Sequence, residues 1–245
     1  MENIQVLTKT NHIKKAQEKE DIMLNKERQE EVVELCQHLI QKQSYSGHED
    51  GVAGVLEEQL KKKGFDSVTV DKYGNVIGCI KGNRPGKKIL FDGHIDTVPV
   101  TDETEWQYPP FAAEIHDGKI YGRGTSDMKG AVAGFVTAAA AFAEDTKKDF
   151  AGEIYVAGVV HEECFEGVAA REISSFVKPD YVVIGEASQL NIKIGQRGRG
   201  EIVLETFGKP CHSANPEKGI NAVYKMAKVI EAIRTLEPTH HPVLG

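Results

Sequence analysis

The sequence predicts an α/β fold, helices flanking a sheet, followed by the start of a smaller second unit. Three observations predict it. Short apolar runs of strand length, such as Ile89-Leu90-Phe91 and Glu153 to Val160, alternate with longer stretches of helical period. These runs end in histidine or acid: Ile89-Leu90-Phe91 leads into His94-Ile95-Asp96, Glu153–Val160 into Glu162-Glu163, and Tyr181–Ile184 into Glu186. Beyond Glu186 the alternation gives way to a strand–loop–helix texture. The 245 residues suffice for one large domain or two smaller ones, and the change of texture divides them into 1–195 and 196–245.

Residues 1 to about 20 are polar and mixed in charge, a frayed lead-in. From about Asp21 to Gln43, Leu24, Val32, Leu35, Cys36, Leu39 and Ile40 recur at helical spacing. Ser46 and Glu49 form a capping-box pattern that starts a second helix, with Val52, Val55, Leu56 and Leu60 facing inward and Gly64 as the stop. Val68 to Asp71 and Val76 to Ile80 read as a hairpin around a Gly74-Asn75 turn. The strand at Ile89 follows a Pro85-Gly86 turn. Next comes a loop holding Trp106 and Tyr108-Pro109-Pro110-Phe111, either a pocket wall or a surface loop that packs one aromatic inward. Lys119 to Tyr121 is a short strand. The Gly122–Asp127 turn then enters a small-residue helix from Met128 to about Glu144, buried on most sides. After the strand Glu153–Val160 come a helix from Gly167 to Phe176 and the strand Tyr181–Ile184. In the second unit, Ile192–Gln196 and Glu201–Phe207 read as strands and Gly219–Leu236 as a helix.

Composition excludes several classes of function. Thirty-seven acids against thirty bases leave a net charge of −7, so the global field repels nucleic acid and anionic membrane. No apolar run approaches the ~18 residues of a membrane helix, and the N-terminus lacks the apolar stretch of a signal peptide. Cys36, Cys79, Cys164 and Cys211 lie far apart, as expected of reduced thiols in a cytoplasm. His161 and the cysteines read as packing residues.

Ligands of α/β sheets sit beyond the carboxyl ends of strands. His94 and Asp96 stand at such an end, on one side of the extended backbone, and a carboxylate beside a histidine fixes the tautomer a metal ligand needs. An isolated H-x-D also reads as a solvated loop, and the Glu162-Glu163 pair as an exposed acidic turn. Four such sites in one α/β chain point to convergence on one crevice. In the Gly-rich turn the Lys-Ser/Thr of a phosphate loop is absent and Asp127 stands in the anion position, which favours a cation. Position 165 is Phe, so the H-E-x-x-H pattern fails at His161. His94, Asp127, Glu163 and Glu186 then form a set of one imidazole and three carboxylates. With Asp127 bridging, two cations ~3.5–4 Å apart can share a hydroxide. Glu162, unable to face the same metal as its neighbour, is free to act as general base. A covalent nucleophile is disfavoured: there is no G-x-S-x-G and no cysteine beside a suitable histidine.

The segments GHIDTV, GRGTSDMKG, HEE, GEAS and GKPCHSANPEKGINA together resemble the zinc-dependent amidohydrolase family of acetylornithine deacetylase, succinyl-diaminopimelate desuccinylase, aminoacylase and carboxypeptidase G. The segment from Gly195 through the CHSANPEKGINA motif is most similar to the subgroup of selenium-metabolism-linked hydrolases. The resemblance runs from about residue 25 to the last. It implies a zinc-exopeptidase-like catalytic domain with a mixed sheet, and the start of an α+β lid domain through which the family forms homodimers. It implies two Zn2+ per complete subunit, with Co2+ or Mn2+ as substitutes. One is held by His94, Asp127 and Glu186, the other by Asp127, Glu163 and a later histidine. Asp96 would orient His94, Glu162 would be the base, His212 would steady the oxyanion in a partner's site, and Arg197 or Arg199 would bind a substrate carboxylate.

The implied reaction is hydrolysis of the amide bond of an N-acyl amino acid, through a metal-bound hydroxide and the glutamate base. A di- or tripeptidase, or an inactive fragment, is the alternative. Against the family pattern the chain reads as truncated, without the lid's second half and the last histidine ligand, a place that His240 and His241 fit poorly. The expectation is one metal bound well, a second bound poorly, and little activity.

Overall fold

The computed structural model of the protein describes residues 25–165, 167–195, 198 and 200–242. Arg197 and Arg199 lie outside the described residues, as does the predicted helical stretch before Asn25. The described chain divides into two compact units between Ala187 and Ser188, whereas the sequence reading divided it after residue 195.

The first unit holds helix α1 (Lys26–Ile40), α2 (Asp50–Lys62), strands β1 (Ser67–Val70), β2 (Val76–Lys81) and β3 (Arg84–His94), and a small hairpin, β4 (Glu114–His116) and β5 (Lys119–Tyr121). It continues with α3 (Gly130–Thr146), β6 (Ala151–Val159), the short α4 (Glu162–Phe165), α5 (Val168–Val177) and β7 (Tyr181–Ile184). The main sheet runs β1-β2-β6-β3-β7. It is mixed: β1 and β6 flank β2 antiparallel, while β6 and β7 flank β3 parallel. The three parallel strands therefore point their carboxyl ends the same way. Register puts His94 beside Val159 and Asp92 beside Ile184.

Local chemistry explains these elements. Asn25 caps α1 by accepting the Arg28 N–H at 2.9 Å. The hairpin turn is held by Asp71 Oδ1, which accepts the N–H groups of Tyr73, Gly74 and Asn75. Small residues let α3 lie close to the sheet: a Cβ on Gly93 would stand 2.8 Å from Val132 Cγ2 and 2.9 Å from Met128 Cε. Apolar positions at helical and alternate spacing, among them Leu39, Leu56, Val132, Leu90 and Val156, form one buried cluster. No helix of the described residues is long and apolar enough to cross a membrane.

Several expectations are corrected. Ser46 and Glu49 do not make a capping box; α2 begins only at Asp50, and Glu49 at its N-cap makes no side-chain cap bond. Pro85-Gly86 lies in a register shift within β3, not in a turn before it; proline lacks the N–H that a regular ladder needs, so a bulge accommodates it. The long helix starts at Gly130 rather than Met128, because Asp127 and Met128 have non-helical φ/ψ, across a cis peptide. Cys36 and Cys79 are buried, but Cys164 and Cys211 are exposed and do not pack.

In the second unit α6 (Ala222–Arg234) is capped by Asn221, whose Oδ1 accepts the N–H groups of Val223 and Tyr224. The strands predicted at Ile192–Gln196 and Glu201–Phe207 do not form; Ile192 to Gly195 and Glu201 to Phe207 are irregular, and Gln196 lies outside the described residues. Extended backbone becomes a strand only through a ladder with a neighbour. The bridge of Lys209 to Ile220 is the one such pairing among the unit's described residues. Ile192, Ile194, Ile202 and Phe207 are correspondingly exposed.

Candidate metal centre

The parallel register brings the candidate residues together. His94 ends β3, Glu162 and Glu163 follow β6, and Glu186 follows β7, with Gly185 N–H still bonded to Asp92 O at 3.1 Å. Asp127 arrives from the glycine-rich turn before α3. Gly124 is required there: its φ is +85°, and a Cβ would sit 2.8 Å from Thr97 Cγ2. The aromatic loop braces this turn through Trp106, which stacks under the Arg123 guanidinium at 5.1 Å, and meets the turn between α1 and α2 through Phe111, which packs on Tyr45.

Nε2 of His94 lies 2.8 Å from Asp127 Oδ1 and 3.5 Å from Glu186 Oε1. These three residues each offer a ligand atom, all within 4.8 Å of one another, and they are the one such group among the described residues. Glu163 falls outside this tight set, although Asp127 is close enough for its charge to act on the Glu163 carboxyl. The other ring nitrogen, Nδ1, lies 2.9 Å from the Asp96 carbonyl oxygen and 3.5 Å from its Oδ1. Asp96 is fully buried. Its Oδ1 accepts the Glu162 N–H at 3.1 Å, and its Oδ2 accepts the Glu163 N–H at 3.1 Å and the Ser46 hydroxyl at 2.7 Å.

The charges form one coupled system. Burial disfavours a proton on His94, but the carboxylates of Asp96 and Asp127 outweigh it and lift the imidazole to about 10. Burial raises Asp96, yet the bonds from His94, Ser46 and Glu163 N–H leave it below its ordinary value. Glu162 and Glu186 are raised, first by burial and then by mutual repulsion among the acids, with His94 pulling each back. Glu163 is raised by burial and by Asp127. Half-buried Asp92, two residues before His94 on β3, is pushed up to about 6 by desolvation and then by Glu186, with His94 opposing. The proton on His94 thus offsets an excess of negative charge. A divalent cation at Nε2 would replace that proton and satisfy Asp127 and Glu186 together, so the donor set fits such an ion; one nitrogen and two carboxylates suit zinc, manganese or cobalt.

His212 belongs to the second unit, where its Nδ1 accepts the Ala214 N–H at 3.1 Å. Sequence reasoning missed several polar residues around the centre. Lys129 is fully buried, and its Nζ donates to Leu39 O at 3.0 Å and Lys42 O at 2.9 Å, tying the Asp127 turn to the end of α1. Ser44 donates to Ile95 O at 2.7 Å. Buried Asn75 accepts the Val160 N–H at 2.9 Å. The contacts are far apart in sequence, and the one local signal, S-x-x-E at Ser46, pointed to a helix cap instead.

Comparison with known proteins agrees with this architecture. The chain is 34% identical over 217 residues to YgeY, an uncharacterised protein of Escherichia coli K12, covering 86% of this chain and 52% of YgeY. It is 35% identical over 224 residues to succinyl-diaminopimelate desuccinylase of Beijerinckia indica, covering 83% of this chain and 57% of that one. It thus spans about half the length of the curated relatives it matches. Its fold resembles that of the M20 family metallo-carboxypeptidase Sso-CP2 from Sulfolobus solfataricus, with a TM-score of 0.61 at 24% identity, covering 82% of this chain and 49% of that one. Residues 90–243, which include the whole run from His94 to His212, match peptidase family M20/M25/M40, and the chain belongs to that family.

Proposed function

We propose that this chain carries the metal-holding part of a hydrolase that cleaves the amide bond of an N-acyl amino acid, in the manner of a deacetylase or desuccinylase. The observation that carries the reading is the meeting, within 4.8 Å, of His94 and Glu186 at the carboxyl ends of adjacent strands with Asp127 from the turn before α3. The 35% identity to a succinyl-diaminopimelate desuccinylase supports the choice of substrate class. One cation, zinc by preference, is assigned to His94, Asp127 and Glu186, and a second to Asp127 and Glu163. When bound, such ions supply Lewis acidity and acidify a water. Glu162 takes the proton of the attacking water and delivers it to the leaving amine; burial raises its proton affinity above that of an ordinary glutamate, the direction a general base needs. Asp96 holds the Nδ1 side of His94, leaving Nε2 to face the ion. His212 is assigned to the oxyanion, across a homodimer, and Arg197 or Arg199 to the substrate carboxylate. These three assignments rest on the motif resemblance, and a cytoplasmic location rests on cysteine usage.

The test is calorimetric titration of Zn2+ and Mn2+ into the chain and into a His94→Ala variant, with a panel of N-acetyl, N-succinyl and dipeptide substrates. The reading expects binding that is lost in His94→Ala, and turnover confined to N-acyl substrates. Equal metal affinity in the two proteins overturns the centre, and turnover of dipeptides alone overturns the substrate class.

A further inference from the structure

The turn between α1 and α2 reaches two strand ends at once. Its Ser44 carbonyl accepts the Thr97 N–H at 2.9 Å, its Ser44 hydroxyl bonds Ile95 O, and Tyr45 bridges Thr97, so the turn is fixed to the strand end that carries His94. From that base Ser46 and Glu49 extend toward the corner where β6 gives way to α4. Four successive backbone N–H groups of this corner are each held by a side-chain oxygen. Val160 is held by Asn75 Oδ1 at 2.9 Å, His161 by Glu49 Oε1 at 3.0 Å, and Glu162 and Glu163 by the two oxygens of Asp96 at 3.1 Å. Ser46 donates to the same Asp96 at 2.7 Å.

Two features set this apart from ordinary turn chemistry. Glu49 is only 6% exposed, and a buried carboxylate is costly unless it is partnered. It is not spent on α2, whose first turn it leaves uncapped. Its Oε1 goes to His161, whose φ of 57° puts a non-glycine residue in the left-handed region. That reversal aims Glu162 and Glu163, and it persists only where the surroundings hold it.

We propose that Ser46 and Glu49 are positioning residues that set the Glu162–Glu163 pair against His94. The proposal rests on the assignment of Glu162 as base. Glu49 fixes the backbone of the reversal, and Ser46 fixes the Asp96 carboxylate on which both glutamate N–H groups sit. Base and imidazole are thereby held by one turn, and small misplacements of a base are expensive in rate.

The test is amide hydrogen exchange of residues 160–163 in the metal-free chain, for Glu49→Ala, Glu49→Gln and Ser46→Ala, alongside turnover of the N-acyl substrate. Glu49→Gln keeps an acceptor oxygen for His161 and serves as the conservative control. In Glu49→Ala, exchange at 161–163 should quicken ~10-fold or more, with the β2 and β6 amides unchanged, and Glu49→Gln should stay within about twofold of the parent. In turnover, Glu49→Ala and Ser46→Ala should lose ~10-fold in kcat at unchanged KM, with Glu49→Gln restoring most of it. Unchanged exchange at the corner in Glu49→Ala, or an equal rise across the whole sheet, overturns the proposal. Exchange needs no substrate: if the parent turns over nothing, as the expectation of little activity for this chain allows, the exchange result alone decides the positioning role, while loss of the metal-binding difference between the parent and His94→Ala overturns the hydrolase reading separately.

Discussion

Replacing Asp96 by asparagine probes the centre with almost no change of shape. Both oxygens of Asp96 accept from donors: Oδ1 from Glu162 N–H, and Oδ2 from Glu163 N–H and the Ser46 hydroxyl. An amide nitrogen donates and cannot accept, so either orientation of the substituted side chain opposes a donor to a donor. The cheaper choice puts nitrogen in the Oδ1 position. It loses one bond to a charged acceptor and strands the Glu162 N–H, which costs about 2–4 kcal/mol. Asp96→Ala strands all three donors and should cost more. Urea unfolding of the metal-free chain reads this directly, because Trp106 is the chain's single tryptophan and lies in the unit that contains Asp96. With a slope of roughly 2 kcal/mol/M, the midpoint for Asp96→Asn should fall by about 1–2 M. Asp96 has a lowered pKa, so its ionised form contributes stability above the ordinary value of 3.8 that is lost as pH falls through the folded value. That acid sensitivity should be missing from Asp96→Asn. A midpoint within about 0.2 M of the parent, or a smaller loss in Asp96→Ala than in Asp96→Asn, would refute the reasoning.

Three further outcomes are expected. In the metal-free chain, stability should fall by about 1.5 kcal/mol between pH 6.5 and 8, because folded His94, lifted to about 10, keeps a proton that the unfolded chain sheds from 6.5 upward. The window stops at 8 because Lys129, pulled down to about 8 by burial, gives the opposite slope above it. Saturating Mn2+ should flatten or reverse the trend, since a metal-ligating imidazole must be deprotonated; a metal-free curve that is flat or rising counts against the coupled charges. In a complete enzyme Glu162→Ala should abolish turnover and leave metal content intact, and loss of metal would remove it from the base role. Lys129→Met should lower stability by about 1–3 kcal/mol by stranding the Leu39 and Lys42 carbonyls, and Lys129→Ala by more because a cavity is added. Equal midpoints for the parent and Lys129→Ala would show that the buried ammonium contributes nothing.

The residues that carry charge at strand ends were legible because strand and helix have different periods and because each acid follows its own apolar run. Ile89 to Phe91 and Tyr181 to Ile184 lie within observed strands, and the run from Glu153 overshoots its strand only at Val160. The residues that hold the acids in place were not legible. Ser46 and Glu49 have the spacing of a capping box, and nothing local reveals that Asp96 and the His161 N–H compete for them. The strands expected at Ile192 and Glu201 failed for the converse reason: apolar content is local, but a ladder needs a partner that no single segment encodes.

By itself, the order of residues determined which side chains stand at the ends of which strands, because backbone period and turn chemistry act within a few positions. Only the tertiary structure decided that β3 lies between β6 and β7 with all three parallel. That arrangement brings His94 to Asp127 and Glu186, while the Ser44–Glu49 turn clamps the two strand ends. Hydrogen bonds and charge coupling among groups tens of residues apart exist only once the chain has packed, and no local pattern of the sequence contains them.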